Sequence, residues 1–279
     1  MTIKDILVHV DRSERSRARV DIAMQLAQLH GAHLTGLFAE AHTPVSDFAP
    51  SHLSPGDTGD VQQTGEAWGQ RFQEQARKME VSAEWRQINQ NSLSANDLIE
   101  QVILHGRYTD LVIVGQNDPD HNTGSVPGDL PDRVVIGVGR PVLVVPYSGD
   151  FDLTTVRAMV AWNGGREAVR GVNDALPFLE RATKVLVMAV NPEAGTGHGD
   201  IPCADICTHL ARHGVKAEAQ HVNAPDVRVG DVLLSRAADE GVNLLVSGAY
   251  QKSRMREMML GGVTRHLLEQ MTVPVLMSR

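Results

Sequence analysis

Asp110-Leu111-Val112-Ile113-Val114-Gly115 and Asn243-Leu244-Leu245-Val246-Ser247-Gly248 are one short pattern written twice. Each opens on a polar residue, runs through apolar side chains and stops at a glycine. A second pair repeats in the same way, Arg140-Pro141-Val142-Leu143-Val144 and Val273-Pro274-Val275-Leu276-Met277. Both pairs stand 133 residues apart. Two landmarks with one offset identify an internal duplication, which sets the fold before any single element is considered.

Working outward, the starts of the halves also correspond. Ile6-Leu7-Val8-His9-Val10-Asp11 matches Ala158-Met159-Val160-Ala161-Trp162-Asn163, at an offset of 152. The first half therefore carries about 19 extra residues. The stretch Pro44 to Gly65, rich in Ser, Pro and Gly and without periodicity, reads as a surface loop that holds them. After each first strand comes an amphipathic helix. Val169, Val172, Leu176 and Leu179 have helical spacing, as do Val20, Met24 and Ala27. Ser13, and Asn163 or Gly165, suit the N-caps.

Further strands are expected at Leu34–Ala39, Val81–Ile88, Val185–Val190 and Val215–Val222. Helices are expected at Trp68–Met79, Leu98–His105, Ala204–His213 and Val229–Glu240. Continuous apolar strands alternating with helices imply a parallel sheet covered on both faces, joined by right-handed crossovers. The fold class is α/β, with two tandem doubly wound, Rossmann-like domains at 1–148 and 153–279. The linker lies around Ser148 to Thr155.

Composition narrows the function. The chain has 279 residues, 42% hydrophobic and 22% charged, with 26 Lys plus Arg against 34 Asp plus Glu and a net charge of −8. That balance, with 4% aromatic residues, argues against a nucleic-acid partner. No apolar run reaches the ~20 residues of a membrane span, and the N-terminus lacks a signal-peptide pattern. A cytoplasmic location is expected.

In open α/β sheets, ligands bind beyond the carboxyl ends of the strands. The turns there contain neither Gly-x-Gly-x-x-Gly nor a P-loop. In the second half Gly248 ends a strand, Gly261-Gly262-Val263 opens a helix, and Lys252 and Arg254 lie between them. Glycines at a helix start can bring backbone N–H groups onto a phosphate. In the first half Asp118, Asp120 and Asp129 occupy the corresponding loop and would repel one.

Both halves resemble universal stress protein domains of the tandem type. The resemblance rests on Asp11 and Asn163, Gly115 and Gly248, Gly128 and Gly261, and the strands that follow Pro141 and Pro274. It implies five parallel strands per domain, final strands that pair within the chain as a pseudo-dimer, and an adenine-nucleotide-type site. Homodimerisation of the whole chain is a further expectation. Nucleotide-binding members carry Gly-x2-Gly-x9-Gly-Ser/Thr and an aspartate after the first strand. Here Asp118 and Asp129 depart from that pattern in the first half, as do Asn163, Gln251 and Gly262 in the second. The candidate site for ATP or AMP is Asn163, Val190, Gly248, Lys252, Arg254, Gly261, Gly262 and Val263, with Asp11, Gly115 and Gly128 as the weaker first-half counterpart.

Cys203 and Cys207 share a helix face and read as core residues, since no fuller metal-ligand set accompanies them. Met255, Met258 and Met259 read as packing residues. No nucleophile, base and orienting group form a recognisable set. The expected role is a stress-response binding or regulatory protein, not an enzyme. Slow ATP hydrolysis and a pure scaffold with unknown protein partners are the alternatives.

Overall fold

The computed structural model describes residues 2–41, 57–88, 93–120, 125–192, 203–250 and 262–279. The first half runs β1 (Asp5–Val10), α1 (Arg15–His30), β2 (His33–Phe38), α2 (Asp57–Lys78), β3 (Ala83–Gln87), α3 (Ala95–Gly106), β4 (Leu111–Gly115), α4 (Leu130–Gly137) and β5 (Val142–Val145). The second repeats it as β6 (Arg157–Ala161), α5 (Arg166–Leu179), β7 (Lys184–Val190), α6 (Ala204–Arg212), β8 (Ala217–Val222), α7 (Val229–Asp239), β9 (Leu244–Gly248), α8 (Val263–Gln270) and β10 (Val275–Ser278).

All ten strands join one sheet in the order β3-β2-β1-β4-β5-β10-β9-β6-β7-β8. Every pairing is parallel except the central one, where β5 and β10 run antiparallel with Leu143 opposite Leu276. Each half is a five-stranded parallel sheet, and the repeated Pro-Val-Leu segments are the seam between them. Leu143 and Leu276 are fully buried on one face of the seam. Val142, Val144, Val275 and Met277 are buried on the other.

The apolar runs are continuous because helices cover both faces. On β1, Ile6, Val8 and Val10 pack with Val20 and Met24 of α1 and Phe72 of α2. Leu7, pointing the other way, packs with Leu98 and Val102 of α3 and Val134 of α4. The edge strands β3 and β8 are only partly covered, and their sequences mix polar and apolar residues accordingly. No described helix is long and apolar enough to cross a membrane.

One expected loop is helix instead. Residues 57–65 belong to α2, which extends over Asp57–Lys78. Residues 44–56 lie outside the described residues. Gly65, read as loop, and Gly69, within the expected helix, are both contact points. A Cβ on Gly69 would come within 2.7 Å of Trp85 Nε1, and one on Gly65 within 2.5 Å of Gln87 Nε2. Small residues one turn apart let α2 lie close to β3. A second correction concerns Ser13, which does not cap α1. The N-cap residue there is Glu14, without a side-chain cap bond, and the Ser13 amide donates to Asp11.

Gly36 of β2 makes the same kind of close approach. A Cβ there would lie 2.6 Å from Trp85 and 2.9 Å from Phe72, whose rings pack with centroids 5.2 Å apart. Overpacking at such a point destabilises by ~1–3 kcal/mol. Gly36→Val is therefore expected to lower stability by about that amount. Denaturant unfolding followed by tryptophan fluorescence would measure it, and an unchanged midpoint would count against this packing.

Candidate functional site

The strand ends of the first half form a cleft that is filled from within. Asp11 follows β1 and is buried. Its Oδ1 accepts from the Ser13 amide at 2.7 Å, and its Oδ2 accepts from Arg19 Nη2 at 2.5 Å. Ser16 braces the turn. Its Oγ accepts from the Asp11 amide at 2.9 Å and donates to the Asp11 carbonyl at 2.8 Å. Arg19 also donates to Ser16 Oγ at 2.6 Å. Both charged side chains of the Arg19–Asp11 pair are over nine-tenths buried.

Arg19 rises from α1 across the end of β4. A Cβ on Gly115 would collide with its guanidinium. This glycine therefore makes room for an arginine of the same domain. A second ion pair closes the mouth: Arg15 Nε meets Asp118 at 2.8 Å, and its guanidinium carbon lies 5.3 Å from the centre of the Tyr147 ring. Arg12 Nε meets the buried Glu40 at 2.8 Å. The space left beside Asp11, Arg19 and Gly115 is about 90 Å³. Sites for drug-sized ligands are ~300–1,000 Å³, so an adenine nucleotide does not fit as the cleft stands. Gly128 lines a neighbouring cavity between the halves.

The electrostatics follow from burial and pairing. Burial pushes the Asp11 carboxyl up, but the Arg19 guanidinium, His9 and the hydrogen bonds from Ser13 and Arg19 together outweigh this and hold it well below the usual carboxylate range. His9, buried on β1, is lowered to about 4, by burial first and by Arg19 second. It is neutral at pH 7, and its Nε2 lies 2.9 Å from the Ala39 carbonyl, to which it must donate.

The second half differs at the same places. Asn163 Oδ1 accepts from the Gly165 amide at 2.9 Å, repeating the Asp11–Ser13 turn without the charge. Gly171 stands at the position of Arg19. The first turn of α5 comes down onto β9 instead. A Cβ on Gly248 would run into the backbone of Glu167 and Ala168, and one on Gly171 would lie 3.3 Å from the Ser247 carbonyl group. Val190 ends β7 beside Asn163, and Gly262 is the N-cap residue of α8 with Val263 exposed after it. These five residues lie on or beside the strand ends. Lys252, Arg254 and Gly261 lie outside the described residues, as do Met255, Met258 and Met259.

The two halves also hold each other. Gln116, next to Gly115, donates to the carbonyls of Leu268 and Glu269 at 3.0 and 3.1 Å. Tyr250, two residues past Gly248, donates its hydroxyl to Asp132 of α4. Sequence reasoning missed Arg15, Arg19, Gln116 and Tyr250. Arg19 carries a signal, since it interrupts the core face of α1 beside Val20. Cys203 and Cys207 pack against the core, and burial pushes the Cys203 thiol up to about 11. Among the described residues, no group of three His, Cys, Asp or Glu could hold a metal ion.

Removing one partner of a buried ion pair costs ~3–5 kcal/mol. Arg19→Met is expected to destabilise by about that much, and adding Asp11→Asn should recover a large part. A double-mutant cycle in urea measures the coupling. Because the folded carboxyl titrates below its unfolded value, its contribution is full above the unfolded pKa of about 3.9. It fades as pH falls through the folded value. The stability gap between wild type and the double variant should therefore narrow in acid, and a constant gap would argue against the charge pair.

Residues 158–279 match the Universal stress protein family. Three solved structures align over nearly the full length. A universal stress protein from Archaeoglobus fulgidus DSM 4304 gives a TM-score of 0.74 at 12% identity, covering 100% of this chain and 97% of that chain. A putative universal stress protein from Pseudomonas aeruginosa UCBPP-PA14 gives 0.59 at 15% identity, covering 99% and 93%. A functionally unknown protein from Pseudomonas aeruginosa PAO1 gives 0.58 at 14% identity, covering 99% and 92%. No curated protein matches the chain. Identities this low speak for the fold alone, while the family match rests on the second half. The chain is thus a tandem of two domains of one fold, whose second half, residues 158–279, matches the universal stress protein family and whose full length shares its fold with solved structures of that name.

Proposed function

We propose that this chain is a ligand-responsive regulatory protein of the cytoplasm, and not an enzyme. In this reading residues 153–279 hold the responsive site and residues 1–148 act as its fixed frame. The observation that carries it is the contrast at two equivalent positions. The first half has the buried Asp11–Arg19 pair, whereas the second has Asn163 and Gly171. A charged clasp occupies one cleft and is replaced by neutral residues in the other.

An adenine nucleotide, AMP or ATP, is the ligand this reading favours. The residues that would hold it are Asn163, Val190, Gly248, Gly262 and Val263, with Lys252, Arg254 and Gly261 supplying charge and backbone. Gly262 at the N-cap of α8 leaves the helix start open to an anion, where the first half places Asp129. The catalytic reading has less support. Ser16 is committed to the Asp11 backbone, and His9 lies buried against Ala39.

Calorimetry with AMP and ATP tests the proposal. Wild type should bind. Gly262→Asp, which copies Asp129 into the second half, should weaken binding at least tenfold, or ~1.4 kcal/mol. The Asp11→Asn/Arg19→Met protein should bind as wild type does. No heat at about 1 mM nucleotide, well above the affinity of a specific site, would reject the proposal. Phosphate release from ATP at ~1 per second or faster would reject the non-enzymatic part.

A further inference from the structure

Between α4 and α8, the last helices of the two halves, lies a cavity of about 610 Å³. Its size is in the ~300–1,000 Å³ range of sites for small organic molecules. Neither half could form it alone. Pro131 and Ile136 come from α4, Leu268 and Arg265 from α8, and Tyr250 from the turn after β9.

The charges in it are uneven. Asp132 and Arg265 hold equivalent positions in the two halves, 133 residues apart, and have diverged to opposite sign. Arg265 Nε is bound to Glu269, one turn along α8, at 2.7 Å. That pairing balances the base within its own helix. Among the described residues, neither Asp129 nor Asp132 makes an ion pair within 4.0 Å. Asp132 is half-buried, and the Tyr250 hydroxyl donates to it and fixes its orientation. Burial pushes its carboxyl up despite that hydrogen bond, so the ionised form lacks a full counter-charge. A cation placed in the cavity would supply one. Apolar walls at Pro131, Ile136 and Leu268 would receive an uncharged body beside it.

We infer that this cavity binds a small organic cation, a primary amine on an apolar body, with the ammonium on Asp132 and the body against Pro131, Ile136 and Leu268. Gly262, which the nucleotide reading uses at the start of α8, also lines this cavity, so the two readings adjoin there and are told apart by charge. A phosphate would meet Asp129 and Asp132 here, so the two ligands differ in sign of charge.

Titration of the full chain with phenethylamine, and with phenylpropionate as the carboxylate on the same skeleton, tests the inference by calorimetry or NMR. The amine should bind with a Kd of ~1 mM or tighter, as its size allows, and the carboxylate at least tenfold more weakly. Asp132→Asn, which keeps an acceptor for Tyr250, should lose at least tenfold in amine affinity. Ile136→Trp, which fills the cavity from a half-buried position, should also lose binding, with thermal melts confirming that both variants fold. Equal binding of amine and carboxylate, no amine binding, or full amine affinity in either folded variant would overturn the inference. The comparison of the two ligands needs only the wild-type chain without nucleotide, so its failure is distinguishable from a failure of AMP or ATP to bind.

Discussion

The antiparallel pairing of β5 with β10 is the constraint on which the rest of this molecule depends. A parallel sheet whose last strand stopped at β5 would present an unpaired edge of buried residues. The duplicated half supplies the matching edge, with Leu143 against Leu276. Fully burying one leucine is worth ~1.5–3 kcal/mol, and the seam buries six apolar side chains at fixed register. That registration places α4 beside α8, so the cavity between them and the Gln116 and Tyr250 crossings follow from it. It also aims the strand ends of each half outward on its own side.

The two strand-end clefts then show how one backbone accepts two solutions. In both halves a side-chain oxygen after the first strand holds the next turn, Asp11 on Ser13 and Asn163 on Gly165. Once that residue is charged and buried, a counter-charge becomes obligatory, and Arg19 provides it. With asparagine there the requirement disappears. A glycine at position 171 lets α5 settle onto β9 by backbone contact. The strand-end glycines Gly115 and Gly248 thus serve different neighbours, an arginine side chain in one case and a helix backbone in the other.

Much of the fold was legible in the sequence because burial on both faces leaves a plain trace. The runs at Ile6–Val10, Leu111–Val114 and Leu244–Val246 can only be central strands. Duplication made the assignment firmer than any one segment could. The start of α2 was not legible, since Gly65 is small for the sake of Gln87, a partner that only the tertiary structure brings near. The candidate site was legible in outline, at Asp11, Asn163 and the glycines. Its occupation by Arg19 was not. Glycine spacing records where backbone must come close but is silent about which group approaches.

Joining the halves through residues 146–156 has a consequence for what such a molecule can become. In a symmetric homodimer every substitution appears twice, so a change that locks one cleft locks both. A single chain with a pseudo-twofold seam is free of that rule. Asp132 can face Arg265 across equivalent positions, and a guanidinium can fill one cleft while its twin keeps a glycine at that position. Covalent linkage converts a symmetry constraint into two independently variable surfaces carried on one shared sheet.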